Sequence, residues 1–326
     1  MKKKLMFLLS AVLFTVAMAT GCTSTTPTAA DPAPAAADAG AIPADTAPAS
    51  AFKVYLVTMD KMDQHWVNVD AGAKNMADAL SVDYTWDAPD VKDNAKQIEC
   101  VNNAVADGAD LILLAANDPV AISDAVKAAK DAGVQIIYVD SGANEAAIAT
   151  LSTNNYNAGV LAAETMLGEL DATGVSGGSI GIIGVNTATN STMDRENGFR
   201  ATIEADGRFT LLTSEYKDGD AAASQESATG FITGNNDLIG LYGTNEGSTV
   251  GVGNAIKAAG GSIIGIGFDK SDAIQGLLDD GSLKAAMAQN PYTMGYLGMA
   301  QAYAALNNYS TGPAVIDTGV AVLRAN

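Results

Sequence analysis

The chain contains few histidines, cysteines and basic residues, and each shortage argues against a class of site. His65 is the only histidine, which leaves little from which to build a zinc site or a Ser-His-Asp triad. The 18 basic residues are outnumbered by 37 acidic ones, and the net charge of −19 argues against nucleic acid or an anionic membrane surface as partners. Gly251-Val252-Gly253 lacks the lysine and hydroxyl residue of a phosphate loop. We therefore expect no cofactor, no metal and no nucleic acid.

The first 22 residues predict export. Lys2, Lys3 and Lys4 precede an apolar run over 5–18, which is too short to span a membrane, and Ala19-Thr20-Gly21-Cys22 then resembles a bacterial lipobox. This pattern predicts a lipoprotein signal peptide over 1–21 and a lipid on Cys22. It would anchor the chain at the outer face of the cytoplasmic membrane or in the periplasm. The alternative is an ordinary secretory signal that is cleaved nearby and leaves a free thiol.

Cys100 is the only other cysteine, so lipidation of Cys22 would exclude a disulfide. Cys100 lies in a predicted helix and is interpreted as a small core residue rather than a reactive thiol. Residues 22–51 are mostly Ala, Pro, Thr and Asp, and they cannot bury enough apolar surface to offset the entropy of ordering them. We predict a disordered tether there, followed by a globular part long enough for two lobes.

Short β-rich runs alternate with longer stretches at helical spacing from Phe52 onward. The predicted strands are 54–57, 82–86, 111–114, 135–139, 180–183, 209–212, 238–242 and 262–266, and the helices that follow include 64–80, 121–132 and 191–204. Strands that are apolar on both faces indicate parallel sheets covered by helices. The alternation restarts near residue 180, so the predicted fold class is α/β, with two Rossmann-like lobes.

Polar residues follow most of the predicted strands, where open parallel sheets bind ligands. Any one of them also suits a helix cap or a turn. As a set they would converge on a cleft between the lobes. The candidates are Asp63, Gln64, His65, Trp66, Asn117, Asp140, Ser141, Arg195, Asn245, Asp269 and Gln289.

Such a set matches the demands of a neutral sugar. Hydroxyl groups both donate and accept, so they pair with carboxylates, amides and guanidinium groups. Trp66, with His65 beside it, is the candidate platform for stacking on the apolar face of a sugar ring, and the alternative for Trp66 is a core residue at a helix start.

The globular part resembles the ribose/galactose class of periplasmic sugar-binding proteins, which serve ABC importers. The most specific motifs are Gly265-Ile266-Gly267-Phe268-Asp269, Leu241-Tyr242-Gly243-Thr244-Asn245-Glu246 and Met287-Ala288-Gln289-Asn290-Pro291. Ile136-Ile137-Tyr138-Val139-Asp140 and Arg195-Glu196-Asn197-Gly198-Phe199 also match. The resemblance implies that Asp140, Arg195, Asn245, Asp269 and Gln289 bind sugar hydroxyls, and that Asp63-Gln64-His65-Trp66 supplies a polar residue and a stacker.

The chain departs from the family pattern at several positions. Ser141 stands where ribose-type members have an arginine, and Gly219-Asp220 stands where many have an aromatic residue. The first-lobe asparagine aligns with Ala115 without gaps and with Asn117 after a shift. These departures leave the particular sugar open.

The resemblance also implies the domain plan and the mechanism. The N-lobe would comprise 52–154 plus 290–317 and the C-lobe 155–289 plus 318–326, joined by a three-segment hinge that closes on the ligand. The expected function is a monomeric, non-enzymatic binding protein that delivers a monosaccharide to ABC permease subunits. The alternative is a sensory receptor of the same fold that binds a signalling furanone, a nucleoside or a sugar.

Overall fold

The computed structural model describes residues 52–326, so the predicted signal peptide, Cys22 and the tether lie outside the described residues. Strands and helices alternate along the chain. The strands are β1 (Lys53–Val57), β2 (Asp83–Asp87), β3 (Leu111–Leu114), β4 (Gln135–Val139), β5 (Thr150–Ser152), β6 (Gly178–Gly184), β7 (Phe209–Leu211), β8 (Glu215–Tyr216), β9 (Leu238–Gly243), β10 (Ile264–Phe268), β11 (Ala285–Gln289), β12 (Val315–Asp317) and β13 (Val320–Leu323). The helices are α1 (Gln64–Leu80), α2 (Asn94–Ala106), α3 (Ser123–Asp131), α4 (Asn155–Thr173), α5 (Asn190–Asp206), α6 (Ala221–Gly234), α7 (Glu246–Ala258), α8 (Asp272–Asp279) and α9 (Pro291–Leu306).

The strands form two separate sheets, each the centre of one lobe. The first sheet has the order β12-β5-β4-β3-β1-β2 and is parallel throughout. The second has the order β13-β11-β10-β9-β6-β7, with β8 beside β6 and with β13 antiparallel to β11. The predicted α/β class with two lobes of parallel sheet flanked by helices is confirmed.

Both faces of each sheet are covered, as the apolar strands require. In the first lobe, α1 and α9 cover one face and α2 and α3 the other, around cores that contain Leu113 and Ile112 respectively. In the second lobe, α4 and α5 pack on one face and α6, α7 and α8 on the other. Cys100 is a buried, free cysteine of α2.

The chain passes between the two sheets at three places. It passes after β5, at Thr153-Asn154, again at Asn290 between β11 and α9, and finally at Thr318-Gly319 between β12 and β13. Asn154 also caps α4, because its side chain accepts a hydrogen bond from the Asn157 N–H.

Several element boundaries differ from the sequence prediction. The strand predicted at 262–266 begins two residues later at Ile264, and the helix predicted from residue 121 begins at Ser123. The strands β5, β8, β11, β12 and β13 are absent from the prediction. β5, β8 and β12 have only two or three residues, and β11 is mostly alanine, so these four lack the β-rich run that marks the other strands.

Candidate functional site

A cavity lies between the lobes, beyond the carboxyl ends of the strands of both sheets. It encloses about 330 Å³, including space open to solvent. Eight of the residues predicted from sequence line it, namely Asp63, His65, Trp66, Asp140, Arg195, Asn245, Asp269 and Gln289. The rule that parallel sheets present ligand sites at this end accounts for the convergence.

Each lobe contributes one aspartate from the residue directly after a strand. Asp140 follows β4 and Asp269 follows β10, and both have left-handed backbones, with φ of 63° and 74°. An aspartate at positive φ is uncommon and costs about 1 kcal/mol or more, so it persists only where its surroundings hold it. Both aspartates are buried, and both line the cavity.

His65 lies between these two aspartates. Its Nε2 is 3.0 Å from Oδ2 of Asp140, and its Nδ1 is 3.6 Å from Oδ1 of Asp269 in the other lobe. Burial lowers the pKa of His65, but the hydrogen bond and charge of Asp140 and the charge of Asp269 outweigh it, so the pKa is raised. Burial likewise opposes ionisation of Asp140, yet His65 and Arg195 hold its pKa below the usual value.

Arg195 is fixed in the floor of the cavity by four contacts. Its Nε donates to Oδ1 of Asn155 at 2.8 Å, and its Nη1 donates to the Thr244 carbonyl at 3.0 Å. Its guanidinium carbon lies 3.8 Å from the centre of the Phe268 ring, a cation–π contact. Its Nη2 lies 4.0 Å from Oδ2 of Asp140, so one positive charge faces the aspartate across the cleft.

Two amides of the second lobe present free polar atoms. Gln289 donates from Nε2 to Oδ1 of Asp269 at 2.6 Å, while its Oε1 is buried without a partner among residues 52–326. Asn245 caps α7 by accepting from the Ser248 N–H at 3.1 Å, while its Nδ2 is buried and unpartnered within the same residues. Because buried polar atoms are nearly always hydrogen-bonded in proteins, these atoms point to a ligand.

An ion cluster of Asp60, Asp63 and Lys92 forms the first-lobe wall. The Lys92 ammonium lies 2.6 Å from Asp60 and 3.0 Å from Asp63. Asp60 also accepts from the indole N–H of Trp66 at 3.2 Å. Burial raises the pKa of Asp63 despite the charge of Lys92, so this carboxylate is held at a cost.

The two lobes touch around the cavity. Ser141 donates to Oγ of Ser191 at 2.7 Å, and the Thr189 hydroxyl donates to the Asn117 carbonyl at 2.7 Å. The His65 backbone N–H at the start of α1 donates to Oε2 of Glu246 at 3.1 Å. Burial, together with the charges of Asp269 and Asp63, raises the pKa of Glu246 to about 7. These contacts join the two lobes directly across the cleft.

Three predicted site residues lie outside the cavity. Gln64 is exposed at the first turn of α1. Asn117 donates from its amide to Asn94 in its own lobe, and Ser141 is engaged with Ser191. Trp66 lines the cavity but is buried and packed into the first-lobe core, so both of its predicted roles find support in its position.

Sequence reasoning misses Lys92 and the contact made by Glu246. Lys92 lies in the loop between β2 and α2, among acidic residues where a lysine is ordinarily solvated. Glu246 directly follows Asn245, and a glutamate in the first turn of a helix has a local explanation in the helix dipole. Neither residue carries a sequence signal of its own, because the carboxylates that hold Lys92 are distant in the chain and the partner of Glu246 lies in the opposite lobe.

Within residues 52–326, no cluster of three or more His, Cys, Asp or Glu side chains is arranged to hold a metal ion. No helix among the same residues is long and apolar enough to span a membrane.

Residues 54–310 match the periplasmic binding protein domain family. The chain belongs to this family. It is 27% identical over 206 residues to the ribose import binding protein RbsB of Bacillus subtilis, a match that covers 63% of this chain and 66% of that one. It is 25% identical over 257 residues to RbsB of Haemophilus influenzae, covering 78% and 86%.

Solved structures of sugar-binding proteins have a similar fold. A carbohydrate transporter solute binding protein from Agrobacterium radiobacter, in complex with D-arabinose, superposes with a TM-score of 0.80 at 27% identity, covering 84% of this chain and 95% of that one. The chain is therefore a periplasmic sugar-binding protein of the ribose class, and family members of this kind are transport binding proteins rather than enzymes.

Proposed function

We propose that this protein is the extracytoplasmic substrate-binding component of an ABC importer, and that it captures a monosaccharide by hinge closure of its lobes and delivers it to the permease. The observation that carries the proposal is the set of polar atoms from both lobes that meet in one cavity, including the unpartnered amide atoms of Asn245 and Gln289. Hydroxyl groups that both donate and accept would satisfy them.

The strand-ending aspartates and Arg195 are the proposed anchors of the sugar. Each aspartate accepts from hydroxyl groups and Arg195 donates to them, with strong charge-assisted hydrogen bonds. Contacts made from both lobes favour the closed form by the difference in the ligand's affinity for the closed and open forms. The contacts of Ser141, Thr189 and Glu246 across the cleft would form on closure.

The N-terminal lipid on Cys22, export to the outer face of the membrane and a monomeric state belong to the same proposal. A lipid anchor with a tether over 22–51 would keep the binding lobes close to a permease without a spanning helix. Mass spectrometry of the protein purified from membranes would show a diacylglycerol adduct on Cys22, and an unmodified thiol would contradict the anchoring.

A thermal-shift screen of residues 52–326 against pentoses, hexoses, inositols, nucleosides and furanones tests the binding function. A ligand that binds only the folded state raises the melting temperature with the logarithm of its excess over Kd. We expect a monosaccharide to give the largest shift, and Asp269→Asn to weaken its binding about 10- to 100-fold because a charged acceptor is lost. A shift with only a furanone or nucleoside would favour the sensory receptor.

A further inference from the structure

Lys92 is a buried cation whose two carboxylate partners use two of its three N–H donors. Only 9% of its side chain is exposed, and its ammonium contacts two carboxylates, those of Asp60 and Asp63. Burial lowers the pKa of Lys92, but the charges of Asp63 and Asp60 outweigh it, so the pKa is raised and the side chain stays protonated. An ammonium group has three N–H donors, so the two carboxylates leave one donor for another partner.

Lys92 and Asn245, one from each lobe, both line the cavity, and their nitrogens come close together at Gly219. Gly219 lies in the turn before α6 with a φ of 74°, in the left-handed region that favours glycine. A Cβ at this position would lie 3.2 Å from Nζ of Lys92 and 2.8 Å from Nδ2 of Asn245. Two nitrogen donors, one from each lobe, therefore approach the same place.

The second donor is also unused. The Oδ1 of Asn245 accepts from the N–H and the hydroxyl of Ser248, while its Nδ2 is buried and has no partner among the described residues. A buried N–H without an acceptor costs about 1–3 kcal/mol. An oxygen atom held between Lys92 and Asn245 would remove that cost and accept from both donors.

The surrounding charges favour a hydroxyl oxygen over an anionic one. The Asp63 carboxylate lies beside Lys92 and accepts hydrogen bonds. A hydroxyl group whose oxygen accepts from Lys92 can therefore donate its own O–H to Asp63. A carboxylate has no proton to donate, and a carboxylate or a phosphate would add negative charge next to Asp60, Asp63 and Asp269. A neutral hydroxyl satisfies the donors and the acceptor together.

We infer that Lys92 and Asn245 form a hydroxyl subsite of the ligand cavity, and that this chain selects sugars with a hydroxyl group at that point over their deoxy counterparts. The inference rests on the proposed sugar-binding function and adds to it the residue that reads one hydroxyl. Gly219 contributes because a side chain at this position would press against both donor nitrogens.

Calorimetry with matched sugars tests the subsite. The probes are D-ribose, D-allose, D-arabinose and D-galactose, each with its monodeoxy forms. For a sugar that binds the wild type, we expect one deoxy form to bind about 10- to 100-fold more weakly, as expected for loss of a hydrogen bond to a charged donor. Lys92→Met should weaken the parent sugar by a similar factor and that deoxy form by less than about threefold.

Two further variants separate this role from charge balance within the cluster. Lys61→Met, which removes an exposed lysine 3.3 Å from Asp87, is the control and should leave both affinities unchanged. Gly219→Ala retains Lys92 and both carboxylates but places a methyl group within 3.2 Å of both donor nitrogens, so it should lose the same preference, and its melting temperature checks that the strained turn still folds.

Equal losses for the parent sugar and every deoxy form in Lys92→Met, or an unchanged preference in Gly219→Ala, would overturn the subsite and leave sugar binding intact. A wild-type protein that binds none of the probes would contradict the proposed function itself, and the inference with it.

Discussion

The two lobes are built alike but hold their ligand-facing residues by different means. Each has a parallel sheet with a left-handed aspartate directly after a strand, Asp140 in the first lobe and Asp269 in the second. The first lobe balances charges, since Lys92 lies between Asp60 and Asp63. The second uses neutral partners, since Arg195 is held by Asn155, the Thr244 carbonyl and the Phe268 ring.

This difference shows that one architecture can hold a polar wall in two ways. A cluster of opposite charges depends on every member, because removing one leaves the others buried and unpaired. Amides and carbonyls tolerate rearrangement better, but they need close packing to hold their geometry. Substitutions in the two lobes should therefore differ in their effects on stability and on binding.

The largest expected effect follows from removing the second-lobe cation. Arg195→Ala should abolish sugar binding and also lower the free energy of unfolding by about 3–5 kcal/mol, because it leaves the buried Asn155 oxygen and Thr244 carbonyl without their donor and removes a charge 4.0 Å from Asp140. Urea unfolding and calorimetry measure the two effects. Arg208→Ala, an exposed arginine paired with Asp206, is the control and should cost less than about 1 kcal/mol. An Arg195→Ala protein with an unchanged free energy of unfolding would show that the guanidinium group does not stabilise the fold.

The next effect concerns the packing that positions Arg195. A Cβ at Gly159 in α4 would lie 2.0 Å from the Arg195 carbonyl oxygen, so Gly159→Ala should force α4 and α5 apart and cost about 1–3 kcal/mol. In the same helix, Gly168 has no neighbour within 4 Å of its Cβ position, and Gly168→Ala should stabilise by about 0.5–1 kcal/mol. Thermal unfolding compares them; equal melting temperatures would mean that the helices do not pack this closely.

A smaller effect links the lobes through pH. Glu246 has a pKa raised to about 7 in the closed form, from an ordinary value of 4.5, by burial and by the charges of Asp269 and Asp63. Opening would remove Asp63 and the α1 N–H groups of Gln64 and His65, so closure should take up a proton. Sugar affinity should therefore rise as pH falls from about 8 toward 5.5, and His65, whose pKa is also raised, acts in the same direction.

Calorimetry in buffers of different ionisation enthalpy measures the proton uptake. Glu246→Gln keeps an oxygen to accept from the His65 N–H but cannot titrate, so it should take up fewer protons on binding than the wild type. The same uptake in both proteins would assign the pH dependence to His65 and Asp63, whose pKa values are also raised.

The smallest effect is spectroscopic. Trp66 lines the cavity and donates its indole N–H to Asp60, so its emission should change when a sugar binds. Trp66→Phe should remove the change, whereas Trp86→Phe, in which a half-buried core residue of β2 is replaced, should keep it. A change that survives in Trp66→Phe and is lost in Trp86→Phe would reverse the assignment.

The sequence predicts the architecture because the central strands of both sheets are long and apolar enough to stand out, whereas short strands such as β5 and β12 are not. It also predicts Asp140, Asn245 and Asp269 at the cavity, since each follows the end of a strand or caps a helix, whereas Arg195, in the second turn of α5, is indicated by its family motif. Lys92 escapes prediction because its burial is produced by two carboxylates and by the missing side chain at Gly219. Local pattern carries no information about partners that are distant in the chain.

The order of elements along the chain also determines when each lobe can fold during synthesis. Helix α9 contributes Met299 and Ala302 to the first-lobe core, although that lobe begins at β1. The edge strand β12 comes later still. The first lobe therefore lacks one covering helix and one edge strand until nearly the whole chain has been made, whereas most of the second lobe is complete before α9 is reached.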